Sequence, residues 1–286
     1  MQSAQEFFLD GFKAAMKSGD TGNAMKCAFF YDACCFWTGM KLLDEVTKSM
    51  EETIIQMRFH KNLVLISCML PIVRLTRRLV GESAIPRQNS LTCVFGETHN
   101  EEDITEKNSY ALIAEQFIEC YEALIFRDLD KAKDCAEKYF SKFSGVPMPQ
   151  RVFYFGLVSF WIGRETNNDK KWIARGTESK VSFEKLAALA STWNFQNKTF
   201  LLQAEEQFCA RNFDVAEKLY DDAILSSKQH KFVNEEALAN ELAGYFYLDT
   251  GRKYMSLRYF CQAEEKYREW GAVAKANELA TYLQNN

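Results

Sequence analysis

Two stretches near the C-terminus repeat each other at an offset of forty residues. Ala204, Ala216, Tyr220 and Ala223 in the first align with Gly244, Ser256, Phe260 and Ala263 in the second. Small residues recur where two helices must touch, and an aromatic recurs where a knob must fill the gap between them. A chain self-similar at this period builds helical hairpins that cannot bury their apolar faces alone and must stack on neighbours. That requirement excludes most other architectures.

The remainder of the 286 residues is consistent with it. Hydrophobic residues make up 47% of the chain, and Phe alone contributes 23, so a continuous core has ample material. Gly (13) and Pro (4) are scarce, with the prolines at Pro71, Pro86, Pro147 and Pro149. A β-sandwich or barrel needs turn residues roughly every eight to twelve positions, and the chain lacks them. The fold class expected is all-α.

The formal net charge is −4, with both signs intermixed, and no basic stripe is present that would neutralise phosphates. Nucleic acid is therefore not expected as a partner. The longest apolar run, 63–73, is about half the length that spans a bilayer and contains Pro71, so it reads as a buried helix and no membrane is expected. The N-terminus lacks the charged start and apolar block of a secretory signal. Cysteine totals nine, an odd number with no C-x-x-C spacing. Cys27, Cys34, Cys68, Cys120 and Cys135 lie among Ala, Phe, Leu and Tyr, where Cys acts as a small hydrophobe. A reducing, cytoplasmic location follows, and the Asn197-Lys198-Thr199 sequon is a chance match.

Periodicity places helical hairpins over 4–17 with 23–37, 42–59 with 62–80, 111–126 with 129–143, and 151–163 with 171–191. Two more follow over 198–210 with 213–228 and 234–248 with 254–270, and 272–283 forms a polar-faced capping helix. Inward positions are Ala24, Ala28 and Tyr31, the stripe Leu43, Val46, Met50, Ile54 and Met57, and Ala132, Ala136 and Tyr139. Gly271 should end its helix in a left-handed C-cap. The segment 81–107 reads as a long disordered loop. The break at 144–149 divides the chain into an N-terminal set of hairpins, 1–143, and C-terminal repeats with their cap, 149–286.

Motifs for chemistry are missing. There is no G-x-x-x-x-G-K-[ST] and no G-x-G-x-x-G, and Gly163-Arg164-Glu165-Thr166 is too short to cradle a phosphate. Kinase triplets of the H-R-D and D-F-G type are absent. His60, His99 and His230 are far apart, with no second ligand at metal-binding spacing. His60 and His230 should face helix C-termini or solvent. Cys34 and Cys35 have Asp32 nearby but no histidine base, so core packing outweighs a hydrolase reading. No catalytic, cofactor-binding or metal residue is assigned, and the chain reads as no enzyme.

What remains is protein binding. The first helix of each C-terminal hairpin should line a groove with Lys198, Leu201, Glu205, Phe208 and Cys209, then Leu238, Glu241, Tyr245, Leu248 and Asp249. Leu201, Glu205, Phe208, Leu238, Glu241, Tyr245 and Leu248 are the candidate contacts. This face is aromatic and acidic, and it suits a hydrophobic or basic segment. The same aromatics equally fit packing between hairpins.

The runs at 193–205, WNFQNKTFLLQAE, at 234–248, NEEALANELAGYFYL, and at 267–277, YREWGAVAKAN, resemble the helical-repeat region of very large microbial signalling proteins. These join a serine/threonine kinase-like domain, an AAA/STAND-type ATPase, tetratricopeptide-like repeats and often a sensor histidine kinase. The resemblance is specific over 152–283 and weaker, in the same order, over 1–143. It implies a right-handed α-solenoid of tetratricopeptide-like hairpins that senses or holds a protein or peptide partner, such as an attached ATPase or kinase domain. None of that family's catalytic residues falls on this chain. The chain starts and ends inside the repeat region, which suits either a piece of a larger product or a free-standing module. The alternative function is a fragment of an ATP-binding kinase or histidine kinase whose catalytic domains lie elsewhere. The forty-residue period exceeds the usual ~34 of such repeats, and the extra length is expected in the turn at 228–234.

Overall fold

A computed structural model describes residues 4–82, 109–142, 148–189 and 192–285. Among these residues all regular structure is helical, with thirteen α-helices and no strand. They are α1 (Ala4–Ser18), α2 (Thr21–Thr38), α3 (Leu43–Phe59), α4 (Leu63–Val80), α5 (Ser109–Ile125), α6 (Leu129–Lys142) and α7 (Pro149–Glu165). There follow α8 (Lys170–Ala188), α9 (Thr192–Cys209), α10 (Phe213–Gln229), α11 (Val233–Asp249), α12 (Lys253–Trp270) and α13 (Val273–Gln284). The all-α expectation holds, and each periodic segment is a helix. Most of the 81–107 loop, with His99, and most of the 144–149 break lie outside the described residues. No described helix is long and apolar enough to cross a membrane.

One turn joins successive helices again and again. Gly19, Lys61, Arg127, Arg211, Lys231 and Gly251 all sit at positive φ, between +55° and +78°. In each case the next residue's amide reaches back to a carbonyl five positions earlier, as in Asn62 to Met57, Asp128 to Ala123 and Asn212 to Gln207. That is a Schellman C-cap, which satisfies orphan helix carbonyls. The carbonyl of that same residue then accepts the first bond of the following helix, as Asn62 does from Ile66 and Asn212 from Ala216. Asp20 and Asp128 add side-chain caps, accepting from the amides of Asn23 and Lys131 at 3.1 and 3.0 Å. The short Gly-Asp, Lys-Asn, Arg-Asp and Arg-Asn signals are thus the stop of one helix and the start of the next.

The turn at 228–234 is not lengthened. Only His230, Lys231 and Phe232 separate α10 from α11, as many residues as separate α9 from α10. The extra length lies in the helices, which run to 17 or 18 residues from α9 to α12. The left-handed cap costs no more at a long helix than at a short one, so the period grows along the helices.

The repeated positions do what the alignment implies. Ala204, Ala216, Tyr220, Ala223, Gly244, Ser256, Phe260 and Ala263 are all buried. A Cβ built on Gly244 would come within 2.7 Å of the Phe260 ring, and one on Gly176 within 2.7 Å of the Phe160 ring. In both places an aromatic face lies against bare backbone, so only glycine fits.

The chain forms two compact units. One comprises residues 1–118 with 269–274, and the other 119–268 with 275–286. In the first, α1 packs on α2, α2 on α3 and α4, and α3 on α4. The stripe Leu43, Val46, Met50, Ile54 and Met57 is buried throughout, as is Pro71 within α4. Ala24 is fully buried, whereas Ala28 and Tyr31 are half-buried. The segment 269–274 completes this unit. Trp270 lies 5.9 Å from Phe36, centroid to centroid. Gly271 adopts the expected left-handed cap, at φ +91°, and a Cβ there would approach the Leu43 amide to 3.3 Å.

In the second unit α6 packs on α7, α7 on α8 and α9, α8 on α9, α9 on α10, and α10 on α11. The first helices of two successive hairpins, α7 and α9, therefore touch as well as the members of each hairpin. Ala132, Ala136 and Tyr139 face inward. Helix α11 is buried over nearly its whole circumference, with Asn234, Glu235, Glu236, Asn240 and Glu241 inside together with its apolar residues.

Candidate functional site

Of the seven candidate groove residues, Leu201, Glu205 and Phe208 on α9 and Leu238 and Glu241 on α11 are buried. Tyr245 is half-buried, and Leu248, at 36% exposure, is the one that solvent reaches readily. The expected open face is thus mostly interior. Helical period identifies a face that differs from its surroundings, but not whether solvent or a preceding helix covers it. Here α7 lies against α9 and occupies part of that position.

The two buried glutamates are each held by a base and a tyrosine. Glu205 Oε2 lies 2.7 Å from Arg164 Nη1 on α7, and Glu205 Oε1 accepts from the Tyr220 hydroxyl at 2.6 Å. Glu241 Oε1 lies 2.8 Å from Lys275 Nζ on α13, and Glu241 Oε2 accepts from the Tyr267 hydroxyl at 2.8 Å. A third pair, Lys198 and Glu235 at 2.6 Å, is joined by Asn197, which donates to Glu235 and to the Ser227 hydroxyl. Burial, reinforced by the neighbouring carboxylates, raises the Tyr220 and Tyr267 hydroxyls well above the usual phenol range. Burial opposes the charge of Arg164, but the Glu205 carboxylate outweighs it and holds the guanidinium ionised. The two tyrosines join each helix to the next, and the three ion pairs join each to the next but one. Removing one partner of such a buried pair is costly, because it leaves an uncompensated charge inside.

Where the network reaches the surface, a polar pocket of about 410 Å³ opens at the ends of the helices. Arg164, Asn167 and Asn168 line it from the α7–α8 turn, Phe208, Cys209, Arg211 and Phe213 from the α9–α10 turn, and Asp249 from the end of α11. Asn167, Asn168 and Arg211 owe their aim to positive φ values of 54°, 57° and 61°. The Arg164 guanidinium stacks on Phe208 at 4.3 Å, and its Nη1 also reaches the Cys209 sulfur at 3.6 Å. Partial burial raises the Asp249 carboxyl above the usual range, with Arg164 and Arg127 opposing and Glu165 and Glu205 reinforcing. The guanidinium of Arg127, in the α5–α6 turn, is sandwiched between Trp161 of α7, at 4.0 Å, and Tyr245 of α11, at 4.2 Å.

Of the groove-facing positions expected from the sequence, Phe208, Cys209 and Asp249 line this pocket, whereas Arg164, Asn167, Asn168, Arg211 and Phe213 were not among them. Their signal was available. Asn tolerates the left-handed region, and Ala210-Arg211-Asn212 occupies the same turn position as His60-Lys61-Asn62.

No poised nucleophile lies beside a base in this pocket. Burial raises the Cys209 thiol, and Cys34 and Cys35 are also raised by burial, the latter to about 11. Asp32 bonds to Ser49 and Thr53 on α3 instead of orienting a base for either thiol. No disulfide joins any two of the eight described cysteines. His60 and His230 are C-caps of α3 and α10. Among the described residues no group of three or more His, Cys, Asp or Glu side chains is placed to hold a metal ion.

No protein-family model matches the chain. Over 59 residues, 21% of its length, it is 34% identical to the hybrid signal transduction histidine kinase G of Dictyostelium discoideum. The chain spans about 2% of that protein's length.

Proposed function

We propose that the chain is a non-catalytic helical-repeat module of the tetratricopeptide-like type that holds a protein or peptide segment in the cytoplasm, as part of a signalling system. The observation that carries this reading is the pocket of Arg164, Asn167, Asn168, Phe208, Arg211 and Asp249, built from turn residues of successive hairpins. It offers hydrogen-bonding groups of both signs beside aromatic faces, which suits recognition of a polar segment. The recurrence of one left-handed turn and of buried small–aromatic pairs supports a stacked repeat array. The short similarity to a histidine kinase supports a signalling setting.

In this reading a partner binds the pocket better in one state of an associated switch than in the other, and so shifts that switch by the difference in affinity. A photo-crosslinking residue placed at Asn168 in the intact chain, with and without Arg211→Glu, tests it. Loss of a discrete crosslinked partner in the charge-reversed chain is the expected result. A partner captured equally by both chains removes the pocket from the reading.

The second reading is that the chain supports, in cis, a kinase or ATPase encoded beside it, and the same histidine-kinase similarity favours it. An in-frame kinase or P-loop signature in the flanking genomic sequence would decide for it.

A further inference from the structure

Asp32, on α2, is 1% exposed, yet among the described residues its carboxylate has no ionic partner. Ser49 Oγ donates to Oδ1 and Thr53 Oγ1 to Oδ2, each at 2.6 Å. The cation that acts on it, Lys41, is committed to the Tyr31 hydroxyl at 3.0 Å and contributes only at longer range. Glu52, a second carboxylate, opposes it from α3. A buried charge is ordinarily paired or neutralised, and two hydroxyls do neither. Asp32, Ser49 and Thr53 line a pocket of about 160 Å³ whose other walls include Phe12 and Tyr31 and whose rim carries the exposed Glu52. Each Asp32 oxygen holds one hydroxyl and retains a lone pair for another donor. Aromatic walls beside a desolvated carboxylate favour organic cations over neutral or anionic groups.

We propose that this pocket binds an organic cation, the ammonium or guanidinium end of a lysine or arginine side chain or of a free alkylamine, held by the Asp32 carboxylate. The volume admits a side-chain end and little more. The site lies within the unit formed by residues 1–118 with 269–274, and it does not depend on the pocket around Arg164. Burial raises the Asp32 carboxyl, with Ser49, Thr53 and Lys41 opposing and Glu52 reinforcing. The unliganded fold therefore disfavours the charge, and stability falls as pH rises through the folded-state value. Asp32→Asn should accordingly keep or raise stability at neutral pH, whereas a carboxylate serving only to join α2 to α3 would lose stability on that change.

The test is a titration of the isotope-labelled chain with n-butylamine and n-butylguanidinium, with n-butylurea as the neutral analogue, and with short peptides carrying Lys, Arg or citrulline. Expected are saturable amide shifts at Tyr31, Ser49 and Thr53 with the cations and none with urea or citrulline. Asp32→Asn should bind at least about tenfold more weakly, the loss of one charge-assisted contact, without loss of thermal stability. If that variant does not fold, Glu52→Gln at the exposed rim still must weaken binding relative to the parent. Tighter binding of the peptides identifies a partner's side chain, and tighter binding of the free amine a small molecule. Equal shifts with urea, no saturable shift with any cation, or a folded Asp32→Asn or Glu52→Gln chain that binds like the parent would overturn the proposal.

Discussion

Gly244 and Phe260 are the clearest case of one residue dictating another. With 2.7 Å between a would-be Cβ and the ring, Gly244→Ala should cost about 1–3 kcal/mol through overpacking. Adding Phe260→Leu should recover part of that loss in urea denaturation, and full additivity of the two changes would refute the contact. Glu205→Gln tests the buried network instead. It leaves Arg164 charged and largely enclosed, so about 3–5 kcal/mol should be lost in the same assay. Cysteine reactivity follows burial. Cys261 is exposed and should alkylate ahead of Cys120 and Cys135, whose thiols burial raises, Cys135 to about 12. Mass mapping after brief treatment at neutral pH checks the order. Of these residues, Gly244 and Phe260 were legible as repeat positions. The partners of Glu205 were not, because Arg164 is 41 positions earlier and Tyr220 is 15 later, at spacings that no helical period relates.

At the scale of the element, the recurring left-handed cap decides where each helix stops. A non-glycine residue there carries a steric cost of roughly 1–2 kcal/mol, partly offset by the entropy that glycine loses on folding. Lys61→Gly and Lys231→Gly should therefore raise the melting temperature slightly, by the equivalent of up to about 1 kcal/mol. Arg127→Gly occupies the same turn but should lower it, because the guanidinium between Trp161 and Tyr245 is lost with the side chain. If all three glycine variants shift alike, the cation–π sandwich contributes nothing. Helix positions and these turns were readable because both depend on local backbone chemistry. The length of the 228–234 connection was misread for a reason at the same scale. A period counts residues and does not say whether they extend a helix or a loop.

Across the whole molecule, the feature that departs from nearest-neighbour stacking is the inclusion of residues 269–274 with 1–118 in one compact unit. Trp270 is 1% exposed and meets Phe36. Trp270→Ala should cost about 3–5 kcal/mol and reduce amide-exchange protection in α2 and α3, far away in sequence. Protection unchanged there would mean that the N-terminal helices are stable without the C-terminal segment. The order of amino acids by itself determined the all-α class, the hairpin periodicity and the cap at Gly271, because each arises from interactions within a few turns of helix. Only the tertiary structure decided which faces are covered, which charges are paired and where pockets open. Those depend on side chains brought together from distant helices, and a groove face and a packed face carry the same periodic signal until a neighbouring helix is placed against one of them.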